Sequence, residues 1–186
     1  MMAFATAAQG QIIDPNVLQA PVDGSVASWI IRTFGLLTVL SVAPGILIMV
    51  TSFPRFIIAF AILRSGMGLA TTPANMILVS LSLFMTFYVM APTFDQAWER
   101  GINPLLENQV TEAEAIELIS DPFREFMLVN TRPKDLTLFI DIADERGQPT
   151  ESEGKIDMRV LVPAFMISEI RRGFEIGFLV VLPFLV

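Results

Sequence analysis

The sequence predicts an all-α integral membrane protein. Bent apolar helices form a hairpin, and a small helical hydrophilic domain lies between two apolar regions. Three observations lead there. Of 186 residues, 53% are hydrophobic and 17% charged, with a mean hydropathy of +0.62; soluble domains carry about 25% charged residues. Charge is segregated, because residues 95–159 hold 15 acidic and 7 basic side chains, a net of −8 in a chain whose total is −7. That acidic block also contains several helix-start signals. The chain has no Cys and no His, which removes disulfides, thiol nucleophiles, imidazole triads and Cys/His metal sites. No catalytic residue, cofactor or metal is expected. No segment is basic enough to make nucleic acid an expected partner.

Residues 1–32 read as an N-terminal segment outside the membrane. MMAFATAAQG lacks the basic start and long apolar run of a signal peptide. The small residues Ala5 to Ala8 could be the tail of one, or simply a disordered terminus. Asp14-Pro15, Pro21 and Asp23-Gly24 are loop signals.

Residues 33–94 read as the first hydrophobic hairpin region. Residues 33–54 carry no charge, and about 20 apolar residues span a bilayer core. Pro44-Gly45 falls in the middle of this run. It is either a functional kink or a tolerated bend, since Pro and Gly are common in membrane helices. The short apolar run 56–63 lies between Arg55 and Arg64, about 13.5 Å apart along a helix. The stretch 55–75 holds two positive and no negative charges. It is therefore expected to be a cytoplasmic elbow, with the acidic block on the periplasmic side. Thr72 is a plausible N-cap, with Pro73 at the first position of a long apolar helix over 75–91.

Residues 95–159 read as an acidic helical periplasmic domain. Thr111-Glu112-Ala113-Glu114 fits a capping box. Ser120-Asp121-Pro122 reads as a cap with Pro at the first helical position, starting a helix over 123–129. Thr131-Arg132-Pro133 repeats the device before a helix over 135–143. The carboxylates solvate polar helix faces. Residues 146–157, with Gly147, Pro149 and Gly154, read as a mobile loop.

Residues 160–186 begin a second hydrophobic helical region. At 100° per residue, Glu169, Arg171, Arg172 and Glu175 fall on one arc, and Met166, Ile167, Ile170, Phe174 and Phe178 on the other. Four charges near a span centre cost roughly 10 kcal/mol together, and the apolar residues return about half of that. The charged arc thus needs protein partners or water, the alternative being an interfacial amphipathic helix. Contacts between subunits are expected at Arg55, Arg64, Glu169, Arg171, Arg172 and Glu175. The apolar run stops at Val186 without a cap or turn signal, which reads as a C-terminal truncation.

Three blocks carry a family resemblance. TSFPRFIIAFAILRSGMG followed by TTPANMILVSLSLFMTFYVMAP, then DPFREFMLVNTRPKDLTLF, then MRVLVPAFMISEIRRGFEIGFLVVLPFLV resemble, in this order, the conserved blocks of the FliP family of flagellar type III export-gate proteins. Injectisome relatives are similar. Pro133 departs from the family's usual residue. The resemblance implies kinked helical hairpins around a pore in the bacterial inner membrane, within the flagellar basal body. It implies assembly with FliQ-like and FliR-like subunits and other copies of the same chain, with FlhA and FlhB completing the apparatus. Unfolded flagellar subunits would pass through, driven by proton motive force and an associated ATPase. It also implies a final hairpin with a methionine-rich constriction, so the chain as given is expected not to close a gate alone. The rival from another class is a small multi-pass transporter with its site at Pro44-Gly45. It would need Ser41, Thr51, Ser80, Ser82 and Thr86 to face one cavity.

Overall fold

A computed structural model describes residues 24–69, 73–152 and 154–185. Seven α-helices account for most of them: α1 (Gly24–Met49), α2 (Phe53–Gly66), α3 (Asn75–Ala97), α4 (Asn103–Leu106), α5 (Glu112–Asn130), α6 (Pro133–Glu145) and α7 (Met158–Leu185). A π-helical turn, Trp98–Ile102, joins α3 to α4, and a two-stranded hairpin joins α6 to α7. The periplasmic segment expected over residues 1–32, Thr72 as a cap and the end at Val186 fall wholly or mostly outside the described residues.

Two stretches, Trp29–Met49 and Asn75–Leu106, are long and apolar enough to cross a membrane. The first belongs to α1, which stays helical through Pro44 and Gly45. The chain breaks later, at Val50–Ser52, so the uncharged run ends its helix at Met49 rather than Pro54. Thr38 and Ser41 return their hydroxyls to the carbonyls of Phe34 and Leu37 in the preceding turn, which keeps polar groups satisfied in an apolar helix.

Residues 44–186 form one packed unit. In it α2 and α7 lie side by side and run in the same direction. Arg55 meets Glu169, Ile58 meets Gly173, Ile62 meets Gly177, and Gly66 meets Val181. Gly173 and Gly177 are four residues apart, so they share one face of α7. A Cβ on Gly173 would lie 2.9 Å from the Arg55 carbonyl oxygen, and one on Gly177 would lie 2.8 Å from Ile62 Cβ. The two helices approach this closely because no side chain intervenes, as at small-residue seams between membrane helices.

On α3 the inward stripe is Leu78, Ser82, Thr86, Met90, Thr93 and Ala97, spaced by four or three residues as one helical face requires. Met76, Phe84, Phe87 and Tyr88 point outward and are exposed. The helix starts at Asn75 with Ala74 as its N-cap, so Pro73 precedes the helix instead of opening it. Beyond α3, Gly101 in the π turn abuts Ala115 and Ile119 of α5. Phe94 meets Phe123 edge-on at 5.8 Å. The core of the unit is Met127, Leu161 and Phe165, with Val50, Leu136 and Ile156 packed around it.

The expected capping box is present. Thr111 Oγ1 accepts from the Glu114 amide, and Glu114 accepts from the Thr111 amide at 2.9 Å. The bond from the Thr111 amide, and then one that the Thr111 hydroxyl donates to the same Glu114 carboxylate, hold that carboxyl below its usual value of 4.5. The box thus contributes fully above that value and weakens as pH falls through the lowered one. The expected cap at Ser120 is overturned, because α5 continues through Pro122 to Asn130. Ser120 Oγ donates back to the Glu117 carbonyl, and Pro122 is buried. One long apolar face, seated on α3 and α7, outweighs a single missing hydrogen bond. Lys155 also clamps this stretch by bonding both Glu117 and Asp121, two like charges one turn apart that would otherwise repel. Bonding to Asp121, ahead of Glu117, raises the Lys155 pKa.

Pro133 opens α6 as expected, but Thr131 does not cap it. Its hydroxyl donates to the Met127 carbonyl at the end of α5, and Arg132 is the N-cap. Where a mobile loop was expected, Glu151–Ser152 pairs antiparallel with Lys155–Ile156, and Gly154 takes the positive φ of 73° that the tight turn needs.

The close α2–α7 approach generates a test. Gly177→Leu should lower stability by about 1–3 kcal/mol through overpacking, read as a lower thermal midpoint in detergent, while Gly147→Ala should leave this seam intact. An unchanged midpoint for Gly177→Leu would show that the helices are not in tight contact.

Candidate functional site

The charged residues singled out in the sequence meet where three helices join. Arg55 sits in the first turn of α2, Asn130 ends α5, and Glu169 lies midway along α7. Glu169 is fully buried. Arg55 Nε donates to Glu169 Oε2 at 2.8 Å, and Nη2 donates to Oε1. This two-pronged geometry matches a guanidinium to a carboxylate. Asn130 Oδ1 accepts from both Arg55 Nη2 and Arg172 Nη1, each at 3.0 Å, while its Nδ2 donates to the Phe126 carbonyl at 2.8 Å. Those three bonds fix the orientation of the amide. Arg172 Nη1 lies 3.7 Å from Glu169 Oε1 and completes the cluster.

A second layer surrounds it. Arg132 pairs with Glu175 at 3.1 Å, and Arg171 lies 3.8 Å from Asp135. The buried Ser168 hydroxyl accepts from the Arg132 amide at 3.0 Å and reaches Asp135 Oδ2 at 2.8 Å. Ser168, on α7, thereby serves an amide at the start of α6 that no neighbouring side chain caps.

Arg64 stands apart. It lies at the other end of α2, about 13.5 Å from Arg55 along the axis, and donates to Asn75 Oδ1 at 2.5 Å. Its charge also suits the helix C-terminus. Arg55, by contrast, is hydrogen-bonded to Asn130 of the acidic block, so the two cations lie in different surroundings.

Each of the six charged residues expected to face neighbouring subunits has a partner within the chain. On α7, Glu169 alone of the four charged residues is buried, while Arg171, Arg172 and Glu175 keep solvent exposure. Ser168, Glu169, Gly173 and Gly177 are buried, while Ile167, Ile170, Phe174 and Phe178 are exposed. The energetic objection to these charges lapses as well. The first part of α7 packs into the Met127–Phe165 core and the last part along α2, so the charges stand at the boundary between the two. The four-residue spacing of Gly173 and Gly177 is a signal that could have marked the seam, whereas Asn130 and Ser168 carry none for their cross-helix partners, which are 42 and 75 residues away for Asn130 and 33 and 36 for Ser168.

The site is built for holding helices. Among the described residues no three carboxylates gather as a metal-binding group. The Ser82 and Thr86 hydroxyls are bonded to carbonyls of their own helix, Leu78 and Ser82.

A buried ion pair is costly to split and cheaper to replace whole. Arg55→Met or Glu169→Leu alone should each cost about 3–5 kcal/mol. The double variant Arg55→Met/Glu169→Leu should cost clearly less than the two single losses together. Unfolding in detergent measures the cycle, and strictly additive losses would contradict a coupled pair.

Comparison with known proteins follows this geometry. The sequence profile of the FliP family matches residues 36–186, a stretch that includes every residue of the charge cluster. A flagellar biosynthetic protein FliP of Rhizobium meliloti (strain 1021) is 73% identical over 186 residues, all of this chain and 76% of that protein. One of Agrobacterium fabrum is 66% identical over the same span. One of Bacillus subtilis (strain 168) is 42% identical over 151 residues, 81% of this chain and 67% of that protein. The chain belongs to the FliP family.

Proposed function

We propose that the chain is a subunit of the flagellar type III export gate in the bacterial inner membrane. It would form the secretion channel with FliQ-like and FliR-like subunits and further copies of itself, beside FlhA and FlhB, and unfolded flagellar subunits would pass through it. The observation that carries this reading is the family match over residues 36–186, joined to relatives named for flagellar biosynthesis. The architecture supports it. Parallel helices held by a buried ion pair give a rigid wall element, and large apolar faces are left for neighbours or lipid. A transporter site has less support, because the Ser41, Ser82 and Thr86 hydroxyls are bonded within their own helices.

In this reading residues 33–94 form the first kinked hairpin, with Pro44-Gly45 as the bend. Residues 95–159 form the periplasmic domain, and residues 160–186 open the second hydrophobic region. Arg55 and Glu169 brace the subunit internally. Arg171, Arg172 and Glu175, which keep solvent exposure, would contact neighbouring subunits at the rim of the brace, and Arg64 would do so at the elbow.

Two experiments test this. Reporter fusions after Gly68 and after Gly147 should report opposite compartments, cytoplasmic and periplasmic; the same compartment for both would refute the topology. A tagged chain co-expressed with its FliQ-like and FliR-like neighbours should co-purify with them. Arg171→Leu or Glu175→Leu should weaken that recovery while the protein still reaches the membrane. Full recovery with both variants would remove these residues from the subunit interface.

A further inference from the structure

At the start of α6 an open pocket of about 500 Å³ is lined by Arg132, Pro133, Lys134, Asp135 and Arg171. Three cations and one carboxylate thus face one cavity. Lys134 is exposed and has no ion-pair partner among the described residues. Arg171 pairs loosely with Asp135 at 3.8 Å, beyond hydrogen-bond range, and among the described residues its guanidinium makes no hydrogen bond, whereas Arg132 is paired with Glu175 at 3.1 Å. A second feature adjoins the pocket. Phe174 and Phe178 follow Arg171 by three and seven residues, which sets them beside it where the charged and apolar arcs of α7 meet, and both are more than half exposed. The surface therefore offers an anion site at one level and an apolar track beginning about one helical turn further along.

We propose that this surface binds an anionic phospholipid of the bilayer. The phosphate would sit among Arg132, Lys134 and Arg171, and an acyl chain would lie along Phe174 and Phe178. A ligand that satisfies both features must join a negative group to a long apolar tail. Free phosphate supplies only the first. An acidic segment of a second copy would bring charge but leave the aromatic track open. Basic pockets beside membrane helices bind lipid headgroups on the same physical grounds. The inference rests on the membrane reading above, and it places the α6–α7 junction at headgroup depth.

The test uses the full chain in nanodiscs of mixed phosphatidylcholine and phosphatidylglycerol, released into native mass spectrometry to identify retained lipid. Phosphatidylglycerol should be retained in preference to phosphatidylcholine. Lys134→Ala breaks no ion pair within the chain and should lower that preference about fivefold, the value of one basic residue near an anionic surface. Phe174→Ser should reduce retention of both lipids while keeping the headgroup preference. Equal retention of the two lipids by the unaltered chain would overturn the proposal. So would displacement of phosphatidylglycerol by an equal concentration of inorganic phosphate, which would mark a free-anion site. Crosslinks from a photoreactive residue at position 134 to a second copy instead of to lipid would also overturn it. A chain that fails to enter membranes would defeat the functional reading instead, so the two failures can be told apart.

Discussion

A carboxylate without water dictates the arrangement of this chain. Glu169 is fully buried, and a lone buried charge costs far more than a helix can recover by packing. It therefore has to meet a cation, and the cation is Arg55, more than a hundred residues earlier. That one requirement fixes where α2 begins relative to α7. The glycines at 173 and 177 then let the helices close up against Ile58 and Ile62 without a change of register. Arg55 alone is poorly placed, since a positive charge in the first turn of a helix opposes its dipole. Glu169 corrects this by bringing a negative charge to the same end.

Asn130 extends the constraint to a third helix. By accepting from two guanidinium groups and donating to its own helix, it ties the end of α5 to the pair. The link from α5 to α6 is only Thr131-Arg132, so α6 is carried along. Ser168 then completes the start of α6 from α7. In this way the acidic domain and the α2–α7 pair share a junction in which few polar groups lack a partner. The buried Ser52 hydroxyl and Arg124 Nε are exceptions among the described residues.

Where a signal is local, the sequence is a good guide. The capping box at Thr111 and the proline opening α6 depend on neighbours within four residues, and both are present. The apolar lengths of α1 and α3 were likewise legible. Local signals misled at Ser120-Asp121-Pro122, because a buried face along all of α5 outweighs one proline. Around Arg55 they were silent, because its partners Asn130 and Glu169 lie 75 and 114 residues away. On α7 the charged residues were legible as a set, but not that Glu169 alone of the four would be buried. Periodicity tells which residues share a face and says nothing about which face turns inward. For α7 that choice rests on Arg55, which no local spacing could match to Glu169, and on Gly173 and Gly177 of α7 itself.

The apolar surface that α7 leaves open bears on its surroundings. A helix that buries Glu169, Gly173 and Gly177 against α2 leaves Ile167, Ile170, Phe174 and Phe178 outside, and α3 leaves Met76, Phe84, Phe87 and Tyr88 outside. In water such surface would be unfavourable at about 25 cal/mol per Å². In hydrocarbon it carries no penalty, but neither does it drive association, because lipid tails are as apolar as the side chains. Specific contact between copies in a bilayer must then come from shape and from the polar rim. In this chain the rim is the half-exposed layer of Arg132, Arg171, Arg172 and Glu175. In the proposed assembly the buried layer beneath it would give each subunit a fixed shape before it meets another, and the exposed layer would keep charges free to reorganise.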